Sequence, residues 1–401
     1  MHKGRSSRFA SGMASLALVA GAVTGFGAVG VIALATAPPA AALTCSATWT
    51  GGGGTTDWNT ANNWSPSGVP SGVNVCIPAN ATVVDSNVSP SLSGLDVAQG
   101  ATLTIGTSGG SNGLNLTVNG PTSVEGSLDL GVSGTSFATM NVDGTGLTVS
   151  STGSVTEAGT MTMGSNGSSP SVVNNGSLTV SSTGGMNFEG GSSMTNGGVL
   201  TDNNSAANNI ALTTGGLTIT GGTICGTAPG LNSTPLTFSG TPVAGPNCSS
   251  GTQDQIQAHG GTEVLTGTVP AGYSIVDNAT VSTTTSVTND GSVQLADGTL
   301  IVGNTTTFTN NGSFDVATNN GTLDGSTSTG STFTSSSSGS FTIEGTLTIG
   351  SNGSDVAVVN NGSLTVSSTG GMNFDGGSSM TNGGVLTDNN SAANNIALTT
   401  G

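Results

Sequence analysis

One segment of this 401-residue chain occurs twice: Val172–Gly215 returns as Val358–Gly401 with a single change, Glu189 to Asp375. A chain that copies itself so closely is built from units that pack on their own neighbours, so a repeat architecture is the first expectation. Weaker similarity reaches back to Gly153 and Gly339, where GSVTEAGTMTMG stands against GSFTIEGTLTIG. A long unit therefore spans 153–338 and a partial second unit 339–401, and Gly401 is expected to fall inside a unit.

Within the long unit lies a shorter one. NNGSL at Asn174, NGGVL at Asn196, NDGSV at Asn289 and NNGSF at Asn310 recur about every 21 residues. Each polar Asn-Gly corner leads into alternation such as Ser177-Leu178-Thr179-Val180, the period-two mark of a strand with one buried face. A coil of this length is one rung of a parallel β-helix, an all-β solenoid. Rungs stacked ~4.8 Å apart let each Leu, Val or Ile bury against its counterpart above and below. Corner asparagines then form amide ladders, and corner glycines supply φ > 0. Some 14 rungs would make a rod of roughly 65 Å. Asn-Gly is also the preferred hairpin turn. The short period and the scarcity of Trp and Tyr favour the solenoid over tandem antiparallel sandwiches.

The N-terminus reads as an export signal, residues 1–42. Lys3, Arg5 and Arg8 precede an apolar stretch from Met13 to Ala35, and Ala40-Ala41-Ala42 offers small residues for cleavage before Leu43. Retention of the stretch as a membrane anchor is the alternative, and its many glycines argue against it. Ala42-Leu43-Thr44 lacks the order that precedes a lipidated cysteine, so Cys45 is not read as a lipid anchor. Removing the three cations takes the formal charge from −17 to −20. The mature chain then holds no Lys or Arg. Binding to nucleic acid through phosphate neutralisation is excluded, and anionic membrane surfaces are disfavoured.

Four cysteines in an oxidising compartment imply two disulfides. Among three connectivities, neighbour pairing gives Cys45 with Cys76 and Cys225 with Cys248, the second closing a loop over 225–248. Neither pair has zinc-like spacing. Residues 43–78 also hold all three tryptophans, Trp49, Trp58 and Trp64. They read as an aromatic, disulfide-stapled cap that covers the open end of the β-helix over 79–401. A sugar-stacking platform is the functional alternative.

At these residues the chain resembles bacterial secreted and surface repeat proteins of the adhesin or autotransporter-passenger kind. The shared head is W-x-G…W…NW…P, matched at Trp49, Trp58, Asn63, Trp64 and Pro70, and the shared rungs resemble TNNGSF and GTLTIG. The resemblance implies a right-handed parallel β-helix with a role in adhesion or surface structure, a glycan or protein partner, and no catalytic residues. Self-association end to end is a further expectation.

Enzymatic readings fare poorly. Lyases of acidic sugars need a Lys or Arg, and a Ser-His-Asp set has only His259 to draw on. A glycosidase needs two carboxylates about 5 to 9.5 Å apart. Glu125 and Asp129 sit four apart on one expected strand, about 13 Å along it. A carbohydrate-binding or glycosidase-like β-helix is kept as the alternative to a non-catalytic rod. No cofactor is implied. Asp290 and Asp297, each next to glycine, are calcium candidates by their oxygen chemistry. Thr102/Thr104, Thr160/Thr162 and Thr346/Thr348 have the Thr-x-Thr spacing of an ice-binding array, if such pairs stack in register.

Overall fold

The computed structural model describes residues 43–401 except 107–112, 132–137, 207–208, 214, 241–247, 249–251, 327–329, 393–394 and 399–401. The expected signal peptide lies outside the described residues, as do residues 241–247 of the disulfide-closed loop.

The chain coils as a parallel β-solenoid of about 13 turns with a spacing of about 23 residues. Each turn runs along three faces. Ser171–Asn174 lies on the first face, Ser177–Val180 on the second and Gly185–Phe188 on the third, and the next turn lays Ser193–Asn196, Val199–Asp202 and Ile210–Leu212 over them. Registers such as Val172 on Met194, Leu178 on Leu200 and Met186 on Ile210 put like beside like. The expected period of 21 lies toward the short end of the observed turns: Ser274 to Ser292 is 18 residues, while Ser127 to Ser154 is 27. Most strands keep about four residues while corners vary more widely, because strand pairing fixes the register and the corner absorbs insertions.

Alternation builds the interior. On the second face Val83, Leu103, Leu128, Val155, Leu178, Leu200 and Ile224 form one inward column, each directly above the last. All are buried. Burying one such side chain is worth about 1.5–3 kcal/mol, and a narrow column needs no large aromatic to fill it. Further along, phenylalanines take over the same role: Phe308 and Phe333 stack with ring centroids 5.6 Å apart, and Phe314 meets Phe341 edge-on at 5.2 Å.

One kind of corner recurs. Its strand ends in an inward Asn, Asp or Glu whose side-chain oxygen accepts a hydrogen bond from the amide two residues on. Asn174 does this for Gly176, Asn289 for Gly291 and Asn360 for Gly362, each at 3.2 Å. Asp85 does it for Asn87, Glu157 for Gly159, Asp202 for Asn204 and Asp277 for Ala279. The two groups differ in what they can do along the axis. An amide has donors left over, so Asn174 Nδ2 reaches Asn196 Oδ1 at 2.8 Å and Asn289 Nδ2 reaches Asn310 Oδ1 at 2.9 Å. A carboxylate has none, and like charges one rung apart repel. Accordingly each acid has an apolar residue or glycine as its register neighbour: Ile105 beside Asp85, Leu130 and Val180 beside Glu157, Val180 and Gly226 beside Asp202, Ala258 and Leu295 beside Asp277.

The glycine expectation needs correction at these corners. Gly176 and Gly362 are not in the left-handed region; a Cβ on Gly176 would stand 2.1 Å from the Ser150 carbonyl oxygen, and one on Gly362 would stand 2.2 Å from that of Gly339. Close approach of the preceding turn, not positive φ, demands glycine there.

The N-terminal cap departs from the three-face pattern. Ala47–Trp49 pairs antiparallel with Trp64–Ser65 and parallel with Asn74–Ile77, and Cys45 is bonded to Cys76. Trp64 packs edge-on against both Trp49 and Trp58, at 5.0 and 4.7 Å, and its indole N–H donates to the Trp58 carbonyl at 2.8 Å.

Midway along the coil one ladder breaks. The second face is an eight-stranded sheet that ends at Thr252–Gln253 and a six-stranded sheet that begins at Thr268–Val269. At its end, Thr223–Gly226 meets the last strand only through an antiparallel bridge between Cys225 and Gln253. Side chains replace the missing ladder. Asp254 Oδ1 accepts the buried Ile224 amide at 2.8 Å, the Tyr273 hydroxyl donates to the Gly222 carbonyl at 3.0 Å, and Cys225 is bonded to Cys248.

Candidate functional site

Residues with distinctive chemistry gather around this break. The only tyrosine of the chain, Tyr273, and the only histidine after His2, His259, lie within it, as do the second disulfide and the buried acids Asp254, Glu263 and Asp277. Glu263 is the second residue of the first-face strand Thr262–Thr266 and Asp277 closes the third-face strand Ser274–Asp277. Glu263 Oε1 accepts the Ser233 amide at 3.2 Å and Asp277 Oδ1 the Ala279 amide at 2.9 Å. Their other oxygens, Glu263 Oε2 and Asp277 Oδ2, are buried without a partner. Burial pushes Asp277 up to about 7, and the negative charge of Glu263 adds to the shift. Burial raises Glu263 too, against the pull of backbone amides. It also raises the Tyr273 hydroxyl, with Asp254 contributing. With no Lys or Arg after Arg8, nothing offsets these charges except protons.

On the outside of the same turns lies a small open depression of about 190 Å³, lined by Ala211, Leu212, Thr213, Gly230, Leu231, Asn232 and His259. The third-face ladder slips between Leu231 and Asn232 here, which opens the surface. His259 is exposed, and Asn232 and Thr213 complete its polar lining. No carboxylate is among these residues, and Glu263 and Asp277 face inward, at 1% and 0% exposure, out of reach of a polymer.

The other buried acids stand in continuous sheet. Burial pushes Glu157 up to about 9 against the Gly159 amide. Asp85, Asp202 and Asp324 are raised mainly by burial, and the half-buried Asp96 by burial and then by Glu125.

The residues singled out in the sequence are placed as follows. Cys45–Cys76 and Cys225–Cys248 are both bonded, as neighbour pairing expected. Trp49, Trp58 and Trp64 are buried at 5%, 0% and 3% exposure, so no indole face is free for a sugar. Glu125 is not on the strand of Asp129; it sits in the corner before Ser127–Leu130. Asp290 and Asp297 lie at different corners of one turn, and Asp290 Oδ1 already accepts from Asn311 Nδ2 at 2.8 Å. Among the described residues no three His, Cys, Asp or Glu side chains come together as a metal site. Thr102/Thr104 is on the second face, Thr160/Thr162 on the third and Thr346/Thr348 on the first, so the three pairs share no array.

The inward acids were missed by the sequence reading, although parity marks them. In SVTE, TVVD, VLTD and SIVD the acid has the same parity as the buried Val155, Val83, Leu200 and Ile275, as Asn174 has with Val172 in SVVN. The chain matches no family model, no curated protein and no solved structure.

Proposed function

We propose that the protein is a secreted or cell-surface rod, structural and adhesive in role and without catalytic activity. The observation that carries this reading is the outer surface. Ser274, Ser292, Ser313, Ser340 and Ser363 stand in one register column on the third face, and Ser127, Ser154 and Ser177 in another on the second. Rows of hydroxyls with no cation among them suit many modest hydrogen bonds to an extracellular glycan or protein, rather than steering of an anion. Two disulfides with no free thiol among the described cysteines support an oxidising, extracellular compartment. The inward aim of Glu263 and Asp277, and a depression without carboxylates, support the non-catalytic reading over a glycosidase.

Copies of the chain are part of the proposal as partners. Val385 and Leu386 are 61% and 40% exposed, and end-to-end contact would cover them. Such association strengthens with salt, because screening weakens the repulsion between two polyanions.

The test is to offer the purified chain to arrays of neutral and acidic glycans and to immobilised matrix proteins, and to assay the same polysaccharides for new reducing ends. Saturable retention with intact polymer is expected. Chain cleavage that disappears in a single carboxylate variant would replace the rod with an enzyme, and no retention on any surface would remove adhesion.

A further inference from the structure

We propose that the turns carrying Thr223–Asn232 and Asp254–Leu295 form a pH-responsive joint in the solenoid, closed while Glu263 and Asp277 hold their protons and loosened when they ionise. Geometry makes this the place that can open. In the turns on either side three ladders hold one turn to the next; here the second-face ladder is replaced by the Cys225–Gln253 bridge, the Asp254 and Tyr273 hydrogen bonds and one disulfide. The third-face ladder slips beside it at Leu231 and Asn232. Two acids with unpartnered buried oxygens are then set into these turns, Glu263 on the first face and Asp277 at the end of the third.

Among the described residues every titratable side chain on the surrounding elements is an acid except His259. Asp254 and Tyr273 lie on the break side, Glu263 on the first face, and Asp297 in the corner below, where a Cβ on Gly298 would touch the Asp277 carboxyl. His259 follows Ala258, the register neighbour of Asp277, and points to solvent. No cation is therefore buried beside the pair.

The direction follows from burial. A carboxyl whose folded pKa is raised contributes fully below its unfolded value and loses that contribution as pH rises through the folded value. For Asp277 that interval runs from the ordinary carboxylate range to about 7. Glu263 shifts in the same direction. The joint is thus tight in acid and loose at neutral pH and above, where the two negative charges also repel across the corner.

Hydrogen exchange of the full chain, read by mass spectrometry at pH 5 and pH 8 and corrected for the intrinsic amide rate, tests this. Peptides covering 223–232 and 255–277 should lose protection by about tenfold more than those covering 331–343 and 356–374, which hold no carboxylate, a tenfold change being one pKa unit. Asp277→Asn keeps the Oδ1 acceptor for Ala279 and should flatten the local pH response; Glu263→Gln gives the same reading if the first variant does not fold. Glu157→Gln, outside the joint, should leave the response in place. A uniform pH response along the coil, or one unchanged in both joint variants, overturns the proposal.

Discussion

Leu200 and Leu386 occupy the same place in two copies of one sequence, yet the first is fully buried and the second is 40% exposed. Asn196 and Asn382 differ in the same way. The first copy carries another turn: Leu217–Ile219 lies on Ser193–Asn196 and Thr223–Gly226 on Val199–Asp202. Ser379–Asn382 and Val385–Asp388 are the outermost strands of their sheets. The copies also sit on different faces. Ser171–Asn174 is on the first face and its counterpart in Val356–Asn360 on the second; Ser177–Val180 is on the second and Ser363–Val366 on the third. Local sequence therefore specifies inward and outward positions and a corner, but neither a face nor a depth. Faces are interchangeable because each demands only alternation, and burial comes from the neighbouring turn.

The largest effect should separate the copies directly. Leu200→Ala deletes the γ carbon and its two methyl groups from a closed column and should cost about 3 kcal/mol. Leu386→Ala, in the same sequence, should cost less than about 1 kcal/mol because much of its surface already meets water. Urea unfolding followed by circular dichroism measures both. Equal losses would mean that Leu386 is covered in solution, by association or otherwise.

The long units differ at one informative interior position. Glu157 of the first aligns with Ile343 of the second, where the acid has moved one residue on to the exposed Glu344. Glu157→Ile copies the second unit into the first and removes a carboxyl that burial has pushed up to about 9. An ionisable group with a raised folded pKa is least costly in acid, so the variant should gain roughly 3 kcal/mol over the parent at pH 7, and the gain should shrink toward zero near pH 4. Melting temperatures at the two pH values decide it. A pH-independent gain would reduce the effect to packing alone.

These particulars mark what could be read in advance. The solenoid was legible because alternation and the corner asparagines repeat, and the disulfides because their partners are near in sequence. Inward acids were overlooked at Asp85, Glu157, Asp202 and Asp277 because an acid reads as a surface residue by default, even where parity places it inside. The interruption at Thr223–Gly226 and the shift of the copies by one face were not legible. Both depend on summed corner lengths over many turns, and corner length leaves no periodic mark.

The smallest effect concerns a ladder that joins the region between the copies to the second of them. Along the second face Asn289, Asn310, Ser335, Asn360 and Asn382 stand in register at the strand ends. Asn289 donates to Asn310, and Asn360 to Asn382 at 2.7 Å, but Ser335 interrupts the series with a hydroxyl that is buried and unpartnered. Serine is too short to bridge one turn to the next. The first copy shows what an uninterrupted step provides, where Asn174 bonds both Asn196 and the Val199 carbonyl. Ser335→Asn should restore that step and add about 1 kcal/mol, the net worth of one buried hydrogen bond. Its corner, Ser336 to Gly339, is longer than Asn175-Gly176, and a Cβ on Gly339 would stand 2.7 Å from the Ser335 hydroxyl. If the asparagine destabilises the chain instead, the longer corner has closed over the space that the ladder needs, and the serine is there because nothing larger fits.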